Sequence, residues 1–275
     1  METDTERQYR SVSQLKEWRQ CHYRWYLARE KLDENGQRIW QRPAAWLAQG
    51  LAVHEAVEWF EKSNREGSLE DMKQVYSEAY DKHINRLAEE TPNFESWFGS
   101  GWRYPAVKDI PRRYDKGLRQ VERYYKYVTE VRPQDTLLRQ TNGEPFVEVQ
   151  FQIQLGDVWV RGVIDQVYWD DQALDWRIRD IKTGKAPGDE IQLAVYAIPV
   201  NRDYGMDITT GDYWMAESGK PTIVYDLTKW PRSRLEDAFG ELDEGIRSER
   251  FDPNPSRENC MFCPVAAACE YAAYS

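Results

Sequence analysis

The spacing of apolar residues changes near Pro145, and that change limits the folds available to the chain. Before it, apolar residues recur every three or four positions in Leu15 to Leu27, Ala44 to Phe60, Leu69 to Leu87 and Tyr114 to Val131, the pattern of amphipathic helices. Ser11 to Ser13 offers a cap for the first, and Thr91 to Pro105 reads as a loop. After it, Phe146 to Leu155, Val158 to Trp169 and Leu174 to Ile181 are rich in β-branched and aromatic residues and partly alternate, which predicts three consecutive strands in a small antiparallel sheet. Asp189 to Ile198 returns to helical spacing. Asp212 to Ala216 and Thr222 to Leu227 read as short strands, and Leu235 to Ile246 as a helix. The expected class is α+β: a mainly helical region over 1–140, a core over 141–250 with a small mixed sheet flanked by helices, and a Cys-rich segment over 251–275.

Within the strands lies a set of groups with chemistry. Asp180 and Lys182, at the end of a predicted strand, project to the same side because side chains alternate. If the second and third strands form a hairpin turning near Gln172 and Ala173, Asp165 faces Asp180. Two carboxylates so placed repel unless one is protonated or a cation lies between them, and oxygen donors of this kind suit Mg²⁺ or Mn²⁺. Lys182 beside such a cation can steady negative charge on a phosphate, which together describes metal-assisted phosphodiester hydrolysis. Gln192 and Tyr196 share one face of the following helix, and Glu148 on the preceding strand is in reach of the same place. Each residue alone is better explained as a surface ion pair or a polar edge residue; the set in this order is not.

Gly162-Val163-Ile164-Asp165, Asp180-Ile181-Lys182-Thr183-Gly184-Lys185 and Gln192-x3-Tyr196 resemble the nuclease core of the RecB-type branch of the PD-(D/E)XK superfamily. His54, in Gly50-Leu51-Ala52-Val53-His54-Glu55, matches the upstream helical histidine of that branch. The resemblance implies a restriction-endonuclease-like core, with His54, Asp165, Asp180 and the Ile181 carbonyl as metal ligands, Lys182 as the catalytic lysine, and Gln192 and Tyr196 in support. Asp180 stands where many relatives carry Glu. Two other motifs fail: Glu58 occupies the place of the second histidine of a zinc-protease helix, and Arg179 and Ala186 break a phosphate-binding loop around Thr183-Gly184-Lys185.

The four cysteines are Cys21, Cys260, Cys263 and Cys269. No export signal is visible: Met1-Glu2-Thr3-Asp4 is acidic, and the longest apolar run, Leu193 to Val200, contains Pro199 and falls far short of the roughly 20 residues that span a membrane. A cytoplasmic setting is therefore expected, and with it metal ligation in place of disulfides. Four thiolates can hold zinc or a [4Fe–4S] cluster, and spacing does not choose. One early and three late cysteines resemble the iron–sulfur RecB-type nucleases, including the CRISPR-associated exonucleases, which implies an iron–sulfur site closing the tail onto Cys21; structural Zn²⁺ is the alternative.

The net charge of −10 makes the chain as a whole repel nucleic acid and anionic membranes, so DNA contacts must be local. Arg7, Arg10, Arg19, Arg24 and Arg29 form one basic run, and Arg112, Arg113, Lys116, Arg119, Arg123 and Lys126, interleaved with Tyr114, Tyr124, Tyr125 and Tyr127, form another suited to single-stranded DNA. Arg112, Arg113, Arg119, Arg123 and Tyr124 are the DNA-binding candidates, although a solvated helix face explains the run equally well. The function expected is a metal-dependent DNA exonuclease acting on single-stranded ends, in recombination, repair or CRISPR-type processing, with a helicase, recombination or CRISPR-type protein as partner. The alternatives are a non-catalytic DNA-binding scaffold of the same fold, and an endonuclease or end-trimming subunit of a larger complex.

Overall fold

The computed structural model describes residues 8–273. Along the chain run β1 (Tyr9–Arg10), α1 (Val12–Gln20), α2 (His22–Arg29), α3 (Ala45–Lys62), α4 (Leu69–Glu90), α5 (Ala106–Lys126), β2 (Thr136–Leu137), β3 (Val147–Leu155), β4 (Val158–Asp170) and β5 (Asp175–Lys182). There follow α6 (Glu190–Tyr204), β6 (Thr210–Met215), β7 (Lys220–Pro221), β8 (Tyr225–Asp226), α7 (Arg232–Arg247) and α8 (Arg257–Met261). They group into two compact units. One holds the described chain up to Pro43, Gln152–Gly162 and the described chain from Pro231; the other holds Ala44–Phe151 and Val163–Trp230.

In the larger unit, Ala48, Ala52 and Ala56 line one buried face of α3. Such small side chains let Met72, Tyr76 and Tyr80 of α4 and Val121 and Tyr124 of α5 pack closely, together with Ile181 and Trp214 of the sheet. Gly117 of α5 leaves no room for a methyl group, since a Cβ there would lie 2.0 Å from the Tyr76 hydroxyl oxygen. Ser68 and Asp71 close a reciprocal cap on α4. The hairpin of β4 and β5 is antiparallel, from Gln166↔Arg179 to Asp170↔Asp175, turning over residues 171–174. β6 pairs with β5 in parallel, Asp180↔Tyr213 and Lys182↔Met215, because α6 carries the chain back across. The sheet is thus mixed where the three strands alone suggested an antiparallel one. The stretch Thr222 to Leu227 is not a single strand: β8 is two residues long and gives way to a 3₁₀ turn at Leu227–Lys229.

The smaller unit corrects the first predicted helix. Leu15 to Leu27 is divided at Cys21, whose backbone is extended (φ −167°, ψ 116°). Its N–H closes α1 on the Glu17 carbonyl at 3.0 Å, and its Sγ caps α2 by accepting the Arg24 N–H at 3.4 Å. Here Trp18 stacks on His22, Phe251 stacks on Trp25 and Tyr26, and Arg10 pairs with Asp243 across buried surface.

Candidate active site

The chemistry-bearing side chains of the larger unit meet at the end of the β4–β5 hairpin. Continuing the observed register by one residue sets Asp165 beside Asp180, the pairing expected from the hairpin arithmetic. Both are buried, at 6% and 2% exposure, and Asp165 Oδ2 accepts the Ile181 N–H at 2.7 Å. His54 arrives from α3, whose alanine face is fixed in the core, so the half-buried imidazole is presented at the strand end. Its Nε2 lies 3.1 Å from the Ile181 carbonyl oxygen, and its Nδ1 lies 2.7 Å from Glu148 Oε1 and 3.6 Å from Asp165 Oδ2.

Glu148, which alternation along β3 offered only as a neighbour, is therefore part of the centre. Its backbone is left-handed (φ 51°), a conformation rare for a side chain of this kind. That kink breaks the two-residue alternation at the start of β3 and explains why periodicity underrates the residue. Ligand atoms of His54, Glu148 and Asp165 all lie within 4.8 Å of one another. Asp180 stands outside that trio and is held differently. Its Oδ1 accepts Gln192 Nε2 at 2.5 Å, while Lys182 Nζ approaches Oδ2 to 2.7 Å. That approach is off the hydrogen-bonding direction, which leaves the buried Oδ2 without a hydrogen bond. Gln192 also accepts from Lys182 Nζ at 3.2 Å and donates to the Tyr196 hydroxyl at 2.8 Å. Tyr196 is buried, its ring edge-on to Phe151.

The electrostatics follow from crowding carboxylates away from water. Burial, and then the charge of Asp165, raise Asp180 to about 7 despite Lys182. Burial raises Asp165 to about 6, against the opposing pull of His54. For His54 burial is the largest influence and lowers the pKa, but Asp165, Glu148 and Asp180 together carry it up to about 10. With acceptors facing both ring nitrogens, His54 is favoured as an imidazolium, a second positive charge beside Lys182 among the acids. A trio of N and O donors within one small sphere fits a hard divalent cation.

Behind the site a polar chain crosses the helices. Arg113 donates to Gln49 Oε1 at 3.2 Å, Gln49 Nε2 to Gln120 Oε1 at 2.5 Å, and Gln120 Nε2 to the Thr183 carbonyl at 3.0 Å. Gln49 and Gln120 are 1% and 0% exposed, so this is the route by which α3 and α5 grip the backbone next to Lys182. Nothing in the spacing of glutamines along helices marks such a chain.

The basic run on α5 is corrected in part. Tyr124 is 1% exposed and donates to Glu61 Oε1 at 2.7 Å, so its ring cannot meet a base. Arg123 donates to the Ala216 and Glu217 carbonyls, and Arg113 to Gln49 and Ser100, which makes both structural cross-links. Arg112 pairs with Asp109 but keeps an accessible face, and Arg119 is exposed. In the N-terminal run Arg10 is buried against Asp243 and Arg29 pairs with Glu17, Arg19 is exposed, and Arg7 lies outside the described residues.

In the smaller unit Cys21, Cys260, Cys263 and Cys269 line one cavity with Arg24, Asn254, Asn259 and Tyr271. Burial raises the thiols of Cys263 and Cys269, and proximity to the other cysteines adds to it. Cys21 Sγ accepts backbone N–H groups of Arg24 and Asn254, each at 3.4 Å. Asn254 and Asn259 both donate to the Gln20 carbonyl, at 3.0 and 3.2 Å. The four sulfurs share a cavity, and among the described residues they do not draw together as closely as the ligand atoms of His54, Glu148 and Asp165 do.

The chain is 41% identical over 268 residues to the Gene 69 protein of Mycobacterium phage D29, covering 94% of this chain and 96% of that one. It is 40% identical over 285 residues to the Gene 69 protein of Mycobacterium phage L5, covering 94% and 95%. The crystal structure of SSO0001 is similar over 81% of this chain and 84% of its own, at 16% identity and a TM-score of 0.29, which is too distant to support a point of structure. The family model of the PD-(D/E)XK nuclease superfamily matches residues 9–270, and the chain belongs to that superfamily.

Proposed function

We propose that this chain is a metal-dependent DNA exonuclease of the RecB type, acting mainly on single-stranded ends in recombination, repair or CRISPR-type DNA processing. The observation that carries the reading is the meeting of His54, Glu148 and Asp165 in one small sphere with Lys182 against Asp180 beside it. His54, Asp165, Asp180 and the Ile181 carbonyl would hold Mg²⁺ or Mn²⁺, with Glu148 in reach. That cation would polarise a phosphate and acidify a water molecule. Lys182, tied by Gln192 and Asp180, keeps its ammonium at one place, where it can steady charge on a phosphate oxygen without searching for it. Tyr196 and Gln192 hold that arrangement from α6.

The four cysteines are assigned to a [4Fe–4S] cluster with a structural role, supported by their shared cavity, the N–H donors on Cys21 and the resemblance in their order. Broad visible absorption and iron content in anaerobically purified protein are the expected results. A colourless protein carrying zinc would replace this assignment with the zinc alternative.

The test of the reaction is degradation of end-labelled linear single-stranded DNA beside a circular single strand, with Mn²⁺, for native protein and Lys182→Ala. Loss of the linear strand alone, slowed at least about a hundredfold by the substitution, is expected. Cleavage of the circle would make it an endonuclease, and identical inactivity of both proteins would favour the scaffold.

A further inference from the structure

Trp102 is 86% exposed, more than any other large apolar side chain among the described residues. It stands on a braced turn. Ser100 N–H donates to the Tyr104 carbonyl at 2.9 Å, Tyr104 N–H to the Gly101 carbonyl at 3.0 Å, and Ser100 Oγ to Asp109 Oδ2 at 2.6 Å. Gly99 at its base admits no side chain, a Cβ there falling 2.3 Å from the Tyr104 carbonyl oxygen, and Gly101 takes φ +98°. The ring is thus held out in water by structure.

Cations accompany it. The Arg103 guanidinium lies 4.9 Å over the Trp102 ring, and that of Arg112 lies 4.5 Å over Tyr104, which is 42% exposed. Arg103 and Lys108 are exposed and enter no ion pair among the described residues. Among the described residues, the only carboxylate hydrogen-bonded to the turn, Asp109, is fully buried and paired with Arg112 and Arg113. Rings interleaved with free cations suit bases and phosphates, whereas a protein partner would call for a larger continuous apolar patch. In a chain of net charge −10, such a local positive patch is where a polyanion would first be held.

The turn also connects to the acidic centre. Phe98 stacks on Trp46 of the first turn of α3, ring centroids 5.8 Å apart. Along that helix Leu47 and Leu51 are 52% and 46% exposed, and with His54 they fall at i, i+4 and i+7, on one face. The eight helical steps from Trp46 to His54 span about 12 Å, the length of three to four stacked nucleotides.

We propose that Trp102 and Tyr104, with Arg103 and Lys108, form a base-stacking platform for single-stranded DNA, which runs along the Leu47–Leu51–His54 face of α3 to the acidic centre. This rests on the nuclease reading and names where its substrate is gripped. Two stacked rings also hold a strand in a manner indifferent to sequence, since every base has a face to offer.

The test is fluorescence anisotropy of labelled oligothymidylate in EDTA, so that binding is read without cleavage. Trp102→Ala should weaken binding about tenfold to a hundredfold, and Trp102→Phe should recover most of it. The urea midpoint should not move, because the ring is exposed. An oligonucleotide of abasic residues should bind native and Trp102→Ala proteins alike, and Arg103→Ala should lower the slope of affinity with salt where Trp102→Ala does not. Equal affinity of native and Trp102→Ala proteins for oligothymidylate, or no binding by either, overturns the platform. If Trp102→Ala weakens binding while Mn²⁺ elicits no cleavage by the native protein, the platform stands and the nuclease reading falls. If cleavage occurs with binding unaffected by the substitution, the reverse holds.

Discussion

Asp180→Asn should stabilise the metal-free protein, and the structure sets the size of the effect. Asp180 is raised from an ordinary 3.8 to about 7, chiefly by burial and by Asp165. A carboxyl whose folded pKa lies above its unfolded value supports folding fully below pH 3.8 and loses that support as pH rises through about 7. Three units correspond to about 4 kcal/mol against the ionised form at about pH 8. Asn carries no charge but faces Gln192 Nε2 and Lys182 Nζ, so mismatched donors return about 1–2 kcal/mol. The net expected gain is about 2–3 kcal/mol. Urea unfolding in EDTA, followed from about pH 4 to pH 8.5, should show the substituted protein less stable by about 1–2 kcal/mol at the acid end and overtaking the native protein as the carboxyl ionises. Millimolar Mn²⁺ should close the gap by stabilising the native protein alone. A substituted protein that is equally or less stable in EDTA at about pH 8 would refute the view that Asp180 is ionised at an electrostatic disadvantage.

Three further outcomes are expected. Since His54 is protonated to about 10 and Asp180 to about 7, Mn²⁺ binding at neutral pH should release about one to two protons, measured by calorimetry in buffers of different ionisation enthalpy; zero would exclude His54 as a ligand. Tyr124→Phe, which strips Glu61 and Gln166 of a buried partner, should lower stability by about 1–3 kcal/mol while leaving affinity for single-stranded DNA unchanged. Gly117→Ala should destabilise by about 2–4 kcal/mol in chemical denaturation, because the clash with Tyr76 outweighs the better helix propensity of alanine.

Features governed by local spacing were legible in the chain. The β4–β5 hairpin, its turn and its register follow from alternation on either side of Gln172 and Ala173, and Gln192 and Tyr196 meet because four residues make about one helical turn. What spacing cannot carry is the direction of a side chain in three dimensions. Tyr124 belongs to a run of rings and bases that suits DNA, yet the helix turns this ring inward to Glu61. Cys21 has no glycine or proline to mark the break between α1 and α2; a thiol acting as a cap makes it. The parallel pairing of β5 and β6 depends on how α6 returns the chain, which neither strand records.

The left-handed backbone at Glu148 separates two demands that usually coincide. A glycine there would relieve the main chain of a conformation costing about 1 kcal/mol, and would at the same time remove the carboxylate that meets His54. Folding and chemistry therefore rank the residues at this position in opposite orders. A chain selected for stability alone would drift toward glycine, so a carboxylate held there against its own backbone is a mark of what the centre has to do.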